Sequence, residues 1–235
     1  MAGKLYGVGI GPGDPELITI KAKRILAEAD VVAVPKTAAE KVSLAQTIAE
    51  SAFEKEKELL ELLFPMSFDE KVLKKSWNEA IGQIRNKLEK GKSVAFITLG
   101  DPTVYSTYMY IHKQLCKEGY ATEIIPGITS FCASAAKAGI SLGENRETIA
   151  IIPSAYECDN LENILKGFDN IVLMKVSKSL PRLKELLRAE GLLDKSVLVS
   201  RCGLVDETIT YDLSLSDEGK ISYFTTMIVK KSGVR

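Results

Sequence analysis

The sequence predicts an α/β fold in two α/β domains, the second carrying antiparallel strands near its C-terminus. Three observations lead to that class. Short apolar, β-branched runs such as Val94–Leu99 and Ser196–Ser200 recur along the chain, as buried parallel strands do. Between most of them lie stretches with apolar residues at helical spacing, which makes strand and helix alternate. Near the end the alternation stops: residues 207–213 and 222–229 read as strands with no helix between them, the pattern of an antiparallel sheet edge.

Taken in order, Lys4–Ile10 is the first strand, and a helix over Leu17–Ala29 closes a β-α-β unit with Val31–Val34. Ser43–Ser51 reads as a second helix with Ser43 as its cap. Leu59–Phe64 forms a strand that stops at Pro65. Asp69–Glu89 is a long amphipathic helix on which Val72, Trp77, Ile81, Ile84 and Leu88 share a face, and Gly91 ends it. Trp77 on that face is read as packing. Val94–Leu99 is the central strand, Tyr105–Leu115 a helix that Pro102 can start, and Thr122–Ile125 a further strand. A helix of small residues, Phe131–Lys137, follows, with Thr129 or Ser130 in the capping position. The polar stretch 138–147 places the domain change near 140, giving domains over 1–140 and 141–235. In the second domain, strands over 148–152, 170–175 and 196–200 alternate with helices over 161–166 and 179–189.

Composition narrows the function. The 235 residues are 46% hydrophobic and 26% charged, with 31 basic against 31 acidic residues. A zero net charge speaks against a general nucleic-acid or membrane-surface binder, though it permits a local basic cleft. No apolar run of about 18 residues occurs, and a strand begins almost at once, so neither a span nor a signal peptide is expected and the default location is the cytoplasm. Cys116, Cys132, Cys158 and Cys202 are far apart with no C-x-x-C pair. They are expected as reduced, mostly buried thiols rather than zinc ligands or a disulfide framework. His112 is the only histidine and sits in a predicted helix, where packing is its expected role. No metal site is expected.

Three loops carry the functional signal. The first, Gly9-Ile10-Gly11-Pro12-Gly13-Asp14-Pro15, has Gly-x-Gly-x-Gly spacing. It departs from the dinucleotide fingerprint because the third glycine comes too early and the second strand ends on Pro35 instead of a ribose-holding acid. A nicotinamide dinucleotide is therefore rejected. The second is Leu99-Gly100-Asp101-Pro102, leaving the central strand, and the third is Pro126-Gly127-Ile128-Thr129-Ser130, opening the helix of small residues. Loops at strand carboxyl ends are where open α/β sheets bind ligands, and helix N-termini suit a carboxylate or hydroxyl.

These three motifs, in this order and over nearly the whole chain, resemble those of the tetrapyrrole methyltransferases. Within that family the chain is most similar to the precorrin-2 C20-methyltransferases of cobalamin synthesis. Pro65-Met66-Ser67 before the helix with Trp77 carries this likeness, as does the run Gly100–Tyr108. The resemblance implies the class III methyltransferase fold, with S-adenosylmethionine held in a cleft between two α/β domains, and a homodimer. It assigns Pro12, Gly100, Asp101, Val104, Thr129, Ser130, Met174 and Gly203 to the cofactor. Pro12, Gly13, Asp14, Tyr105, Arg146 and Arg201 are assigned to the tetrapyrrole substrate. It leans to the cobalt-containing, anaerobic branch.

The implied chemistry is in-line attack of an electron-rich meso carbon on a sulfonium methyl, so alignment and exclusion of water are the protein's main work. No metal or covalent nucleophile is required. Asp101 is a candidate for the base that removes the meso proton only by position; orienting the cofactor or shaping its loop is the role favoured. The macrocycle carries many carboxylates, which Lys36, Lys175, Lys178 and Arg182 could meet together with Arg146 and Arg201. The competing readings are a sister enzyme for another ring carbon, a relative methylating rRNA or a protein side chain, and a non-enzymatic module binding tetrapyrrole or S-adenosylmethionine.

Overall fold

Side chains along the strands of the first half of the chain alternate between two buried cores, one on each face of a single sheet. The computed structural model describes residues 2–38, 43–53, 55–67, 69–153, 158–216 and 221–234. They form two compact units, Met1–Thr129 and Ser130–Arg235. The composition shift near 140 points to a later boundary. The chain divides earlier because the helix Ser130–Lys137 packs against a strand of the second unit.

The first unit holds β1 (Leu5–Gly9), β2 (Val31–Lys36), β3 (Glu58–Leu63), β4 (Val94–Thr98) and β5 (Thr122–Ile125) in the order β3-β2-β4-β1-β5, all parallel. Val8, Val32, Val34, Ala95 and Ile97 face α1 (Ile20–Glu28) and α2 (Leu44–Glu50). Leu5, Val31, Ala33, Val94 and Phe96 face α3 (Glu70–Glu89) and α4 (Tyr108–Lys117). The period of two sends alternate side chains into separate cores. Adjacent strands β1 and β4 thus lead to helices on opposite faces. That divergence is the topological switch point of an open sheet.

Several local expectations are corrected by side-chain chemistry. A short 3-10 turn, Pro15–Leu17, precedes α1, because Asp14 Oδ1 accepts from Glu16 N at 2.9 Å and Thr19 Oγ1 then caps α1 through Ala22 N at 3.1 Å. Ser43 stands at the N-cap position of α2 without capping it: its hydroxyl donates to Pro35 O at 3.1 Å. Helix α4 begins at Tyr108 rather than Tyr105, and Pro102 does not start it. Tyr105 lies in the left-handed region (φ 50°), which a right-handed helix excludes, and Ser106 Oγ accepts from Tyr108 N at 3.1 Å. Trp77 does pack: its ring stacks on Tyr110 at 4.1 Å and 10°, tying α3 to α4.

The second unit holds β6 (Ile149–Ile152), β7 (Asn170–Met174), β8 (Ser196–Ser200), β9 (Thr208–Thr210) and β10 (Thr225–Lys230) in the order β6-β7-β10-β8-β9. β6 is parallel to β7; β10 runs antiparallel to β7 and β8, and β9 antiparallel to β8. α6 (Leu161–Gly167) and α7 (Leu180–Ala189) share a core with Ile171, Leu173, Leu198, Met227 and Val229. α5 (Ser130–Lys137) packs against β10. The expected strand over 207–213 shrinks to β9 because Asp212 Oδ1 accepts from Ser214 N at 3.0 Å and turns the chain into a 3-10 helix. Of the cysteines, Cys202 is buried and Cys158 half-buried, whereas Cys116 and Cys132 are exposed, since both stand on outward positions of their helices. His112 is half-buried on α4, with Nδ1 3.4 Å from the Tyr108 hydroxyl.

Candidate functional site

Because β4, β1 and β5 lie side by side, the loops leaving their carboxyl ends converge. Ile10 N donates to Thr98 O at 3.0 Å, and Gly100 N donates to Gly11 O at 2.8 Å, closing an antiparallel bridge between the first two loops. Both bridge residues are left-handed, Gly11 at φ 76° and Gly100 at φ 68°, a conformation glycine enters without steric cost. The third loop is joined through Asp101. Its Oδ2 accepts from Gly127 N at 2.9 Å, while its Oδ1 accepts from Thr103 N at 2.8 Å and from the Thr103 hydroxyl.

Glycine is required here by contact as well as by torsion. A Cβ on Gly127 would stand 2.2 Å from Gly100 O, and one on Gly9 would stand 2.6 Å from Gly127 N. The three motifs are therefore one packed object, three backbones pressed together at the end of the sheet. Asp101 is buried at its centre, with both carboxylate oxygens engaged in fixing loops.

Around this knot stand the other residues assigned from sequence in the first unit. Gly13 is buried and Pro12 half-buried; Asp14 is half-buried with its carboxylate engaged at Glu16 N. Val104 is half-buried, its N–H donating to Asp101 O at 3.2 Å. Tyr105 is exposed, and Thr129 half-buried after β5. Lys36, at the end of β2, pairs with Glu61 at 2.7 Å.

In the second unit, β7 and β8 run in the same direction on either side of β10. Met174 and Arg201 thus lie at one edge of that sheet. Arg201 is left-handed (φ 53°), donates its N–H to Phe224 O at 2.8 Å, and pairs through Nε with Asp206 at 2.5 Å. This pairing holds the Asp206 carboxyl below its ordinary range. Gly203 follows in the same loop at φ 79°. Lys175, directly after Met174, is also left-handed (φ 57°), with its Nζ 5.8 Å from the Tyr223 ring. Burial pushes the Cys202 thiol up. Lys178 follows in a short 3-10 turn, and Arg182 is exposed on α7.

Arg146 is not brought to that edge. It is exposed just before β6, at the end of the sheet where Lys230 meets Glu147 at 3.1 Å. Five-residue strands separate the two edges by roughly 17 Å. Strain is found at strand carboxyl ends in each unit. Among the described residues, four non-glycine positions have positive φ, and three of them, Tyr105, Lys175 and Arg201, sit in loops leaving β4, β7 and β8. Such conformations cost about 1–3 kcal/mol each and cluster at functional sites.

The first unit offers backbone-lined, glycine-packed loops; the second, taken by itself, offers a helix N-terminus at Ser130 and a few cations. Among the described residues, no group of three or more His, Cys, Asp or Glu is placed to hold a metal ion, and no helix is long and apolar enough to cross a membrane. Sequence reasoning missed two participants. Tyr108 fills the space beside Gly7, where an added Cβ would meet its ring at 2.1 Å. Glu207 reaches back to Gly203 N at 2.6 Å. The glycine preceding the first motif was the only local sign of the former, and an acid four residues after a loop glycine gives no recognisable sign of the latter.

Comparison with known proteins shows the family. The family model of the Tetrapyrrole (Corrin/Porphyrin) Methylases matches residues 4–216. The chain is 36% identical to the cobalt-precorrin-2 C(20)-methyltransferase of Salmonella typhimurium, over 98% of each chain. It is 30% identical to the precorrin-2 C(20)-methyltransferase of a Sinorhizobium species, over 97% of this chain and 95% of the other. The crystal structure of a cobalt-precorrin-4 methyltransferase superposes with a TM-score of 0.77 at 26% identity, covering 97% of this chain and 94% of that one.

Proposed function

The chain belongs to the tetrapyrrole (corrin/porphyrin) methylases, and on that premise we propose that it transfers a methyl group from S-adenosylmethionine to C20 of cobalt-precorrin-2 in cobalamin synthesis. The observation that carries the ring position is end-to-end similarity to a relative named for that reaction, 36% over 98% of both chains. The cobalt form is favoured because the relative named for the cobalt-containing substrate is more similar than the one named without cobalt, 36% against 30%.

Pro12, Gly100, Asp101, Val104, Thr129, Ser130, Met174 and Gly203 are the residues proposed to hold the cofactor. Their surroundings suit it. A charged, polyfunctional ligand is matched by turned backbone at Gly100 and Gly203 and by the positive end of the α5 dipole. When bound, the cofactor supplies an electrophilic methyl on a sulfonium. The protein's own work is to fix the reacting partners and keep water away. Asp101 serves this by locking its own loop to the third, with the first held by the Gly11–Gly100 bridge, so that little rearrangement is left to the moment of reaction. Pro12, Gly13, Asp14, Tyr105 and Arg201 are proposed to meet the macrocycle, Arg201 exchanging its exposed partner Asp206 for a substrate carboxylate. The working form is proposed to be a cytoplasmic homodimer.

The test is turnover. Purified protein with S-adenosylmethionine and enzymatically made cobalt-precorrin-2, kept anaerobic, is expected to release S-adenosylhomocysteine in step with methylated product. Tight binding of both ligands without S-adenosylhomocysteine would instead indicate a binding module.

A further inference from the structure

The loop leaving β8 is held by a residue outside the three glycine motifs. Gly203 turns through φ 79°, and its N–H donates to Glu207 Oε2 at 2.6 Å. The chain between them is closed by two further backbone bonds, Leu204 N to Arg201 O and Glu207 N to Leu204 O, each 3.0 Å. The Glu207 side chain is only 19% exposed, and its Oε1 stands 3.7 Å from Lys137 Nζ in the last turn of α5. Cys202, on the other side of Gly203, lies against Ser134 of the same helix. One carboxylate therefore fixes the Gly203 turn and ties it to the helix that begins at Ser130.

We propose that Glu207 is the positioning residue for the cofactor in the second unit, setting Gly203 through its backbone N–H and holding α5 against the same loop through Lys137. The inference rests on the reading of Gly203 and Ser130 as cofactor residues. With its N–H engaged, Gly203 presents its carbonyl and Cα to a ligand, and the direction of both is fixed by the bond to Glu207. An unpaired N–H in this turn would cost a hydrogen bond to a charged group and free the loop. The separation between Glu207 and Gly203 demands reach more than charge. Glutamine at 207 keeps an accepting oxygen at the same distance from the backbone, and aspartate keeps the charge but is one methylene short.

The experiment is calorimetric titration of the full chain with S-adenosylhomocysteine. Glu207→Ala, Glu207→Asp and Glu207→Gln are compared with Glu147→Ala, which breaks the distant pair with Lys230. The expected result is about tenfold weaker binding for Glu207→Ala and Glu207→Asp, less than about threefold for Glu207→Gln, and wild-type affinity for Glu147→Ala. If the alanine variant does not fold, the aspartate and glutamine variants decide alone. Wild-type affinity in Glu207→Asp, or equal losses in all four variants, would overturn the assignment. Failure of the wild-type protein to bind would remove the cofactor reading itself, and the role of Glu207 with it.

Discussion

Asp101 and Gly127 are joined by one hydrogen bond of 2.9 Å, from backbone N–H to carboxylate Oδ2, spanning the loop of the strand that separates theirs. With the other oxygen accepting from Thr103, this carboxylate is placed to organise the site. Both of its oxygens already accept hydrogen bonds, which favours the positioning role over that of a base. Asp101→Ala is expected to lower stability by about 1–3 kcal/mol and to weaken S-adenosylmethionine binding. Asp101→Asn, with one accepting oxygen left, should lose turnover yet keep the wild-type shape of the pH–rate profile. Loss of the basic limb in Asp101→Asn would restore Asp101 as the base.

The close approach of Gly9, Gly100 and Gly127 makes a second prediction. A methyl at Gly127 would stand 2.2 Å from the Gly100 carbonyl oxygen, so Gly127→Ala should cost at least about 1–3 kcal/mol in urea unfolding. Gly82 lies inside α3 with open space around its Cβ position, and Gly82→Ala should stabilise by about 0.5–1 kcal/mol. Equal effects at the two positions would contradict the packed knot.

The two arginines assigned to substrate should behave differently. Arg201→Ala is expected to raise the Michaelis constant for the tetrapyrrole by roughly tenfold, as loss of a charge-assisted bond does, with a smaller change in kcat. Arg146→Ala, at the other edge of the second sheet, should leave both constants unchanged. A shared loss in both variants would mean that the macrocycle reaches both edges.

Acid stability should report on Glu123, whose carboxylate accepts from Lys4 at 2.7 Å and Lys21 at 2.6 Å. The bond from Lys21, then that from Lys4, pulls its pKa down to about 2. The folded value lies below the unfolded one, so this contribution is complete above about pH 4.5 and disappears as pH falls toward 2. It is worth no more than about 1 kcal/mol, because the pair is solvent-screened. Glu123→Gln should lower the melting temperature at pH 7 and flatten its decline between pH 4.5 and 2. An unchanged decline would assign acid unfolding elsewhere.

Much of the fold was legible because its signals are local. Val94–Thr98 and Ser196–Ser200 are β-branched runs that only a buried strand explains, and Glu70–Glu89 shows its apolar face at helical spacing. Where the sequence misled, a tertiary or side-chain bond decided: Ser43 turned to Pro35, Tyr105 took a left-handed torsion, and Asp212 cut β9 short. The three motif loops announced themselves through glycine and proline. The tie between the second and third of them through Asp101 did not, since a bond from residue 101 to residue 127 leaves no pattern in the chain. Nor did Glu207, whose bond to the Gly203 N–H constrains no side chain and whose pair with Lys137 lies 70 residues away in the chain.

The most direct test of the account is the position of the new methyl group. Anaerobic reaction with S-adenosylmethionine labelled at the methyl carbon, using cobalt-precorrin-2 and its metal-free counterpart in parallel, should place the label at C20 by NMR and proceed faster with the cobalt form. Label at any other ring carbon would contradict the assignment of the reaction, and faster turnover of the metal-free substrate would contradict the assignment of the branch.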